Sequence, residues 1–420
     1  MPSVCIYFQV HQPIRLRKYS YFNIRNNDQY FDDKKNIEIL NKVSEKCYLP
    51  TNQILNKLIE ENNGKFKISY SISGILIEQL EKHRKDVLDS FIQLSSTGCV
   101  EFLSETYAHS LSSVYSEKEF IKQIEKQNDI INKYFNQTPK VFRNTELIYK
   151  NEIGEVISKL GFKAMLCEGT EKFLGKRTPN HIYNSSTSDL KLLLKNYKLS
   201  DDIAFRFSNK DSGFYPLTTE IFSNWIHKLN GNAEVINLFM DYETFGEHQW
   251  KHTGIFDFLK KLPSEILKNP EFNFKTPSEC IEFYPTRGEY DVPEYLSWAD
   301  TERDLSAWIS NVLQTEALRK LYALEKKVNL TDNDYFIKQF EQLQTSDHFY
   351  YMCTKFWNDG DVHKYFSPFE SPYEAYIYFM NCITDFTLRI DEYLTENNYS
   401  TRSVQIENGY PQASVIKATN

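Results

Sequence analysis

The sequence predicts an α/β fold in which a barrel of parallel strands is followed by a helical bundle. Strand-like and helix-like segments alternate about seven times over the first two thirds of the chain, and strand-like segments stop near residue 300. The length of 420 residues suits two to three domains, or one large barrel with an appendage. Hydrophobic residues make up 41% of the chain and charged residues 25%, which excludes a disordered or collagen-like protein.

The predicted strands are short apolar runs rich in β-forming residues. They cover residues 4–10, 66–72, 100–104, 140–144, 162–167, 190–194 and 235–240. Helical periodicity lies between and after them, over residues 51–61, 75–94, 117–134, 151–160, 217–229 and 255–262. Alternation of this kind places the helices outside a parallel sheet. We therefore expect residues 1–300 to form the barrel domain.

The remaining third of the chain has a different pattern. Helices are predicted over residues 304–328, 332–343, 346–356 and 372–393, with no strand between them. Residues 301–395 are accordingly expected to form a helical region that packs against the barrel. Residues 396–420 are polar and weakly periodic, which is typical of a poorly ordered or extended tail.

Charge and cysteine content exclude several classes of function. The net charge is -8 and no block of five basic residues occurs, which argues against a nucleic-acid partner. No apolar run reaches about 18 residues, and the N-terminus resembles a strand rather than a signal peptide, so no membrane partner is expected. Seven scattered cysteines without a C-x-x-C pair favour reduced thiols in the cytoplasm. The sequence indicates neither a cofactor nor an oligomeric state.

Polar residues cluster at or just past the ends of several predicted strands. In a barrel these carboxyl ends converge on one face, which carries the active site. Each cluster taken alone is also compatible with an ordinary capped loop, but the coincidence of four favours a site. The clusters are His11 with Gln12, Glu101 with Glu105, Asn144 with Glu146, and Asp241 with Glu243.

Two segments carry carboxylates in contrasting surroundings. In FRNTEL (142–147) Glu146 lies beside Arg143, whose charge favours an ionised carboxylate. In LFMDYETFGEH (238–248) Asp241 follows an apolar strand, and such surroundings raise the pKa of a carboxyl group. Glycoside hydrolysis needs one ionised and one protonated carboxyl group, so the pair indicates this chemistry. The alternative interpretation is an acidic surface loop.

Five short motifs, in order along residues 1–310, resemble those of glycoside hydrolase family 57, the α-amylase-type group. The first is His11-Gln12-Pro13, and the second is the segment from Gly98 to His109, which contains Glu101 and Glu105. The other three are FRNTELIYKNE (142–152), FMDYETFGEHQ (239–249) and LSWADTERDLSAW (296–308). The third and fourth are long enough to be specific.

The resemblance implies an incomplete, seven-stranded, TIM-like (β/α) barrel followed by helices. It also implies a retaining double displacement with Glu146 as the nucleophile, Asp241 as the general acid and base, and His11 contacting sugar hydroxyls at the cleavage subsite. Retention predicts that the two carboxyl groups lie about 5–5.5 Å apart. The substrate would be an α-1,4-glucan such as starch, glycogen or maltodextrin.

Further residues in these motifs are candidates for substrate binding. Glu101 and Glu105 compete for one role, and either could instead form a salt bridge. His109 could cap a loop, Asp304 fits a helix N-cap better than a sugar ligand, and one of the tryptophans is expected in the core. Glu243 and His248 could tune the proton affinity of Asp241. The full set is His11, Gln12, Glu101, Glu105, His109, Arg143, Glu243, His248, Trp298, Asp300, Asp304 and Trp308.

Other functions remain open at this stage. A 4-α-glucanotransferase or branching enzyme would use the same catalytic pair, although the chain lacks the long insertions expected of large branching enzymes. His11, His109, His248 and Asp241 could instead bind a metal, as in α-mannosidases or polysaccharide deacetylases, but Pro13 stands where a second ligand is expected. A non-catalytic carbohydrate-binding homologue is disfavoured because both carboxylates are present. Bond type and substrate chain length are not indicated.

Overall fold

A ring of seven strands forms the centre of the computed structural model, which describes residues 1–355 and 367–397. In the described residues the strands, labelled in chain order, are β1 Ser3–Val10, β2 Ile68–Ile72, β3 Val100–Phe102, β4 Val141–Arg143, β5 Ala164–Glu168, β6 Ile182–Ser185, β7 Lys191–Lys195, β8 Val235–Asp241, β9 Asn273–Phe274 and β10 Thr286–Tyr290. One sheet has the order β3-β2-β1-β8, with β9 also on β1, and the other has the order β10-β6-β7-β5-β4.

The two sheets are joined at two places, between β3 and β4 and between β7 and β8, and so enclose a barrel. A parallel bridge between Ser104 and Phe142 joins β3 to β4. Between β7 and β8 there is no ladder, but the Asn196 N–H donates to the Asn237 carbonyl at 2.9 Å, and the Asn237 amide donates to the Leu194 carbonyl at 2.9 Å. Strands β1 to β5, β7 and β8 thus form the incomplete seven-stranded barrel that was expected.

Helices surround this barrel and follow it. The helices up to residue 300 are Asp33–Val43, Leu49–Glu61, Gly74–His83, Lys85–Ser96, Ser112–Tyr115, Glu117–Phe135, Asn151–Lys159, Glu171–Leu174, Tyr197–Ala204, Thr219–His227, Ile255–Leu267 and Pro277–Phe283. Those after it, within the described part of the chain, are Ser306–Ile309, Val312–Tyr322, Glu325–Thr331, Asp334–Leu343, Asp347–Tyr350 and Pro372–Glu396. This order confirms the predicted α/β class with a helical region at the C-terminal end. No helix in the described residues is long and apolar enough to cross a membrane.

Several elements differ from the sequence expectation. The predicted helix 75–94 is broken at Arg84, which has a non-helical backbone (φ -143°, ψ 58°). The predicted helix 304–328 is three shorter helices. Strands β6, β9 and β10 were not predicted, because they are short and partly polar, and β6 runs antiparallel to β7. The predicted helix 346–356 is helical only over Asp347–Tyr350, and residues 351–355 are not helical. Residue 356 and the tail from residue 398 onward lie outside the described residues.

Side chains along the strands point alternately into the barrel interior and outward into the core beneath the helices. In β1, Val4, Ile6 and Phe8 pack outward against the helices, whereas Cys5 and Tyr7 belong to the cluster that fills the barrel. Strand β8 alternates in the same way, so Asp241 lies on the inward face that also carries Phe239. The C-terminal end of β8 therefore directs a carboxylate toward the barrel opening.

One glycine fixes the loop after β8. Gly246 has a φ of +112°, and a Cβ there would lie 2.0 Å from the carbonyl oxygen of Lys46. The Lys46 carbonyl belongs to the π-helical turn Ser44–Tyr48 and cannot move away as a flexible side chain would. The loop can thus pack against this turn only if residue 246 has no side chain.

We expect Gly246→Ala to destabilise the protein more than Gly254→Ala does. Gly254 also has a positive φ, of +87°, but a Cβ there meets nothing within 4 Å. The steric conflict at residue 246 should lower the free energy of unfolding by about 1–3 kcal/mol beyond the backbone strain that both variants share. The measurement is the Tm of both variants and the wild type under identical heating. Equal Tm values for the two variants would contradict the packing argument.

Candidate active site

Glu146 and Asp241 are both located at the carboxyl-terminal opening of the barrel. Asp241 is the last residue of β8 and pairs in register with Gln9 of β1. Glu146 lies just after β4 in the short 3-10 turn Thr145–Leu147, where both Glu146 (φ 56°) and Leu147 (φ 51°) have left-handed backbone. This backbone is unfavourable for residues with a side chain, and it turns the chain sharply at the strand end.

Two N–H donors hold the carboxylate of Glu146. The Nε2 of His109 lies 2.9 Å from Oε1, and the indole Nε1 of Trp298 donates to Oε2 at 2.7 Å. The backbone carbonyl of Glu146 also accepts from the Trp298 N–H at 3.2 Å and from the Ser297 hydroxyl at 3.0 Å. Ser297 and Trp298 of the fifth motif are therefore hydrogen-bonded to the turn that carries Glu146, and these bonds orient its carboxylate.

His109 lies between two carboxylates. Its Nδ1 is 2.9 Å from Oε2 of Glu105, a fully buried residue that also accepts a hydrogen bond from Gln9 at 3.2 Å. Burial lowers the pKa of His109, but the hydrogen bonds and charges of Glu105 and Glu146 outweigh this effect and raise it to about 9. The imidazole is therefore doubly protonated at neutral pH and donates to both carboxylates.

The positive charge on His109 helps to lower the pKa of Glu146. Burial raises the pKa of this carboxyl group, but the hydrogen bond and charge of His109, with the charge of Arg143 and the Trp298 hydrogen bond, together lower it below its usual value. Glu146 is thus ionised at neutral pH. An oriented, ionised carboxylate is suited to act as a nucleophile.

The pKa of Asp241 is shifted in the opposite direction. Burial, followed by the negative charge of Glu146, raises its pKa to about 6, while Arg143, Lys195 and His109 oppose the rise. A carboxyl group with such a pKa retains its proton over part of the neutral range and can donate it. The pKa values of the two carboxyl groups are therefore shifted in opposite directions, and below about pH 6 Asp241 keeps its proton while Glu146 is ionised.

His11 stacks on His109 and contacts a residue that sequence analysis did not single out. The two rings lie 4.0 Å apart with an interplanar angle of 20°. The Nδ1 of His11 lies 2.7 Å from the Ser73 hydroxyl, and Nε2 lies 3.0 Å from Oδ2 of Asp347. Asp347 begins a short helix in the C-terminal helical region, where the sequence gave a helical pattern but no motif.

Trp298 is flanked by two cations. The guanidinium of Arg143 lies 4.8 Å from the ring centroid and the ammonium of Lys195 lies 5.1 Å from it. Arg143 is fully buried, and its three guanidinium nitrogens have no hydrogen-bond partner within the described part of the chain. Lys195, at the end of β7, pairs with Asp201 at 3.0 Å and was not a candidate, because a single lysine after an apolar run is not distinctive.

Glu243 and Gln12 lie next to Asp241 on the side of the Ser44–Tyr48 turn. The Tyr48 hydroxyl donates to Glu243. Burial, followed by the charge of Asp241, raises the pKa of Glu243 to about 8, and a hydrogen bond from Gln12 partly opposes this rise. Tyr48 was not predicted as a site residue, because nothing in its sequence neighbourhood distinguishes it.

The structure does not bring all candidates together. Glu101 accepts hydrogen bonds from Ser278 at the start of the helix Pro277–Phe283 and so caps that helix. Trp308 is buried in the core between the barrel and the helical region. Asp304 accepts from the Ser306 N–H at 2.8 Å just before the helix Ser306–Ile309, but the N-cap residue of that helix is Leu305, so Asp304 is not the N-cap that the sequence suggested. These three side chains serve the fold.

The last two candidates lie on the loops around the opening. Asp300 has a left-handed backbone (φ 55°) and pairs with Lys355 at 3.1 Å, which connects the fifth motif to the helical region. The backbone N–H of His248 donates to the Glu243 carbonyl at 2.9 Å, and burial lowers the pKa of its imidazole to about 4. His248 is therefore neutral at physiological pH.

The arrangement of the histidines does not suit a metal ion. No three side chains of His, Cys, Asp or Glu converge as metal ligands in residues 1–355 and 367–397. Both ring nitrogens of His109 bind carboxylates, and a doubly protonated imidazole has no lone pair to coordinate a metal. The alternative of a metal site built from His11, His109, His248 and Asp241 thus finds no support in the geometry.

Several solved structures share this fold. A GH57 branching enzyme from Thermococcus kodakaraensis has a TM-score of 0.66 at 14% identity, over 97% of this chain and 96% of that one. The alpha-amylase AmyC from Thermotoga maritima has a TM-score of 0.62 at 13% identity, over 94% of each chain. For a 4-alpha-glucanotransferase from Thermococcus litoralis the TM-score is 0.61 at 16% identity, over 83% of this chain and 56% of that chain.

Sequence comparison gives the family. The model of glycosyl hydrolase family 57 matches residues 5–293. A protein named putative alpha-amylase from Methanocaldococcus jannaschii is 45% identical over 406 residues, which cover 93% of this chain and 85% of that protein. These matches confirm the resemblance of the five motifs. The chain therefore belongs to glycosyl hydrolase family 57 and is an enzyme of the glycoside hydrolase class.

Proposed function

We propose that this enzyme hydrolyses α-1,4-glucans with retention of anomeric configuration, with Glu146 as nucleophile and Asp241 as general acid and base. The observation that carries the proposal is the fixed carboxylate of Glu146, held by His109 and Trp298 at the barrel opening onto which Asp241 also faces. An ionised carboxylate next to a protonated one is the arrangement that a double displacement requires.

In the first step Asp241 would protonate the glycosidic oxygen while Glu146 attacks the anomeric carbon. The negative charge of Glu146 contributes to the raised pKa of Asp241, and this charge disappears when the glycosyl ester forms. The pKa of Asp241 then falls, so its carboxylate can accept a proton from the attacking water in the second step. One change of charge thus converts the acid into the base.

The proposal of an α-glucan as the substrate rests on the similarity of this chain to named relatives. The relative at 45% identity is named a putative alpha-amylase. Structures of similar fold include proteins named alpha-amylase, branching enzyme and 4-alpha-glucanotransferase. A neutral polysaccharide also agrees with a chain of net charge -8 that has no basic block. The substrate class follows from these likenesses together with the paired carboxylates.

Transfer to a second sugar is the competing outcome. The lack of long insertions is a weaker argument against a branching enzyme than the sequence suggested, because the branching enzyme of similar fold is matched over 96% of its own chain. The 45% identity to a putative alpha-amylase favours hydrolysis. A glycosyl-enzyme reacts with water or with a sugar hydroxyl depending on how the surrounding loops admit each acceptor.

Other parts of the sequence interpretation remain predictions. These are the division into a barrel domain (1–300), a helical region (301–395) and a polar tail (396–420), the cytoplasmic location, and the absence of nucleic-acid and membrane partners.

We expect Glu146→Gln and Asp241→Asn to abolish most activity while preserving the fold. Loss of the nucleophile should lower kcat by on the order of 10⁴-fold. Loss of the general acid should lower it by about 10²–10⁴-fold. Release of reducing sugar from maltodextrin and the circular dichroism spectrum are the measurements. The matched control is Glu294→Gln, a surface carboxylate paired with Lys172, which should behave as the wild type. Full turnover in either site variant would refute the catalytic assignment.

The pH profile should report the proton on Asp241. Because Asp241 must be protonated to act as the acid and its pKa is raised to about 6, kcat/KM should fall as the pH rises through about 6. In Glu146→Gln the negative charge that raises this pKa is absent, so the Asp241 carboxyl should titrate at lower pH. Carbon-13 NMR of the labelled carboxyl groups measures that titration without activity. An unchanged pKa would show that the two groups do not interact.

Incubation with maltoheptaose should give only shorter sugars. Water as the acceptor cannot lengthen a chain, and retention requires that each new reducing end is first formed as the α-anomer. Chromatography of the products and proton NMR at early times test the two statements. Products longer than maltoheptaose would assign the enzyme to the transferases, and β-anomers would exclude the double displacement.

A further inference from the structure

The side chains at the ends of three neighbouring strands alternate in sign at the barrel opening. They are Arg143 of β4, Glu168 of β5 and Lys195 of β7, and all three are buried. The residues two positions earlier in each strand belong to the apolar cluster that fills the barrel. Because side chains of a strand repeat their direction every second residue, these three charged side chains also point inward. Glu168 therefore has a cation on each neighbouring strand.

The direct partner of Glu168 nevertheless comes from a loop. Nη1 of Arg303, in the fifth motif, donates to Oε2 of Glu168 at 2.6 Å. Nζ of Lys195 lies 3.8 Å from the same oxygen and pairs more closely with Asp201, at 3.0 Å. Since a buried carboxylate is stable only when it is paired, Glu168 depends on Arg303. The guanidinium of Arg303 also lies 3.9 Å from the centroid of the Tyr197 ring.

The backbone between Trp298 and Arg303 forms a closed loop. The Ser297 N–H donates to the Arg303 carbonyl at 3.1 Å. Asp300 and Arg303 both have left-handed backbone, with φ of 55° and 53°. Such backbone is unfavourable for residues with a side chain and persists only where the surroundings hold it. The salt bridge of Arg303 with Glu168 is one contact that holds this loop.

The other end of the loop lies on the two remaining charged strand ends. The Trp298 ring packs on the cations of Arg143 and Lys195, which lie on either side of Glu168. From this position its indole N–H donates to Oε2 of Glu146. The ring and its N–H move as one rigid unit, so a displaced loop would lengthen or break this hydrogen bond.

We propose that Arg303 and Glu168 are positioning residues, whose salt bridge holds the loop so that the Trp298 indole donates to the carboxylate of Glu146. The inference rests on the proposed role of Glu146 as the nucleophile. It gives a part in catalysis to Glu168, a fully buried residue that lies outside all five motifs. Neither residue contacts the reacting atoms, because both act through Trp298.

The position of the Trp298 indole can be measured without catalysis. We would record the nitrogen-15 and proton NMR signal of Nε1–H, which is identified by its loss in Trp298→Phe. A proton in a charge-assisted hydrogen bond is deshielded, so we expect its signal to move upfield in Arg303→Met and in Glu168→Gln. Glu168→Gln keeps the size of the buried side chain, whereas Arg303→Met changes a residue that is partly exposed.

The matched control is Arg287→Met. Arg287 pairs with Glu234, which precedes β8, so this change breaks another arginine–glutamate salt bridge at the opposite end of that strand from Asp241. The Trp298 signal of this control should equal that of the wild type. A Trp298 signal that also stays in place in Arg303→Met and Glu168→Gln would overturn the proposal.

A double-mutant cycle tests whether the salt bridge affects the reaction through Trp298. Trp298→Phe keeps an aromatic ring but removes the N–H, and should lower kcat/KM for maltodextrin about 10- to 100-fold. Arg303→Met should lower it about 10-fold in the wild type and cause no further loss in the Trp298→Phe background. Losses that multiply would show that Arg303 acts by another route and would contradict the inference.

The two measurements separate this inference from the proposed function. Full activity of Glu146→Gln would exclude Glu146 as the nucleophile, but Arg303→Met would still displace the Trp298 signal. An undisplaced signal excludes the positioning role, even if Glu146→Gln is inactive. A displaced signal with wild-type kcat/KM in Arg303→Met would show that the position of the indole does not matter for the reaction, which also overturns the proposal.

Discussion

The site depends on the hydrogen bonds of the protonated His109 imidazole to two carboxylates. The imidazole lies between Glu105 and Glu146 and stacks on His11, so one buried cation orients carboxylates that would otherwise repel each other. Burial raises the pKa of Asp347, but the charge and hydrogen bond of His11, followed by the charge of His109, lower it below its usual value. Without His109, the fully buried Glu105 would have no counter-charge in hydrogen-bond contact, and an unpaired buried charge is strongly unfavourable.

The barrel was predictable because its strands are short apolar runs rich in β-forming residues and the candidate carboxylates lie at their carboxyl ends. Residues 4–10 and 235–240, for example, correspond closely to β1 and β8. Strand β6 was not predicted, because its four residues are partly polar and it pairs antiparallel to β7. Pairing of that kind depends on the neighbouring strand and not on local pattern.

The candidate site was predictable only in part. Glu146, Asp241, His11 and His109 lie in motifs at strand ends, whereas Asp347, Tyr48 and Lys195 reach the site from elements without a distinctive sequence. Strand direction could have separated Glu105 from Glu101, because Glu101 lies inside β3 and Glu105 follows its carboxyl end. Contacts between distant parts of the chain needed the three-dimensional structure.

The contact between His11 and Asp347 joins positions 336 residues apart. During synthesis the barrel segment leaves the ribosome long before residue 347 does, since a ribosome adds residues one after another from the N-terminus. The nascent barrel therefore holds Glu146 and Asp241 while the space beside His11 is still unfilled. The complete arrangement exists only after the segment that carries Asp347 has been made and has packed against the barrel.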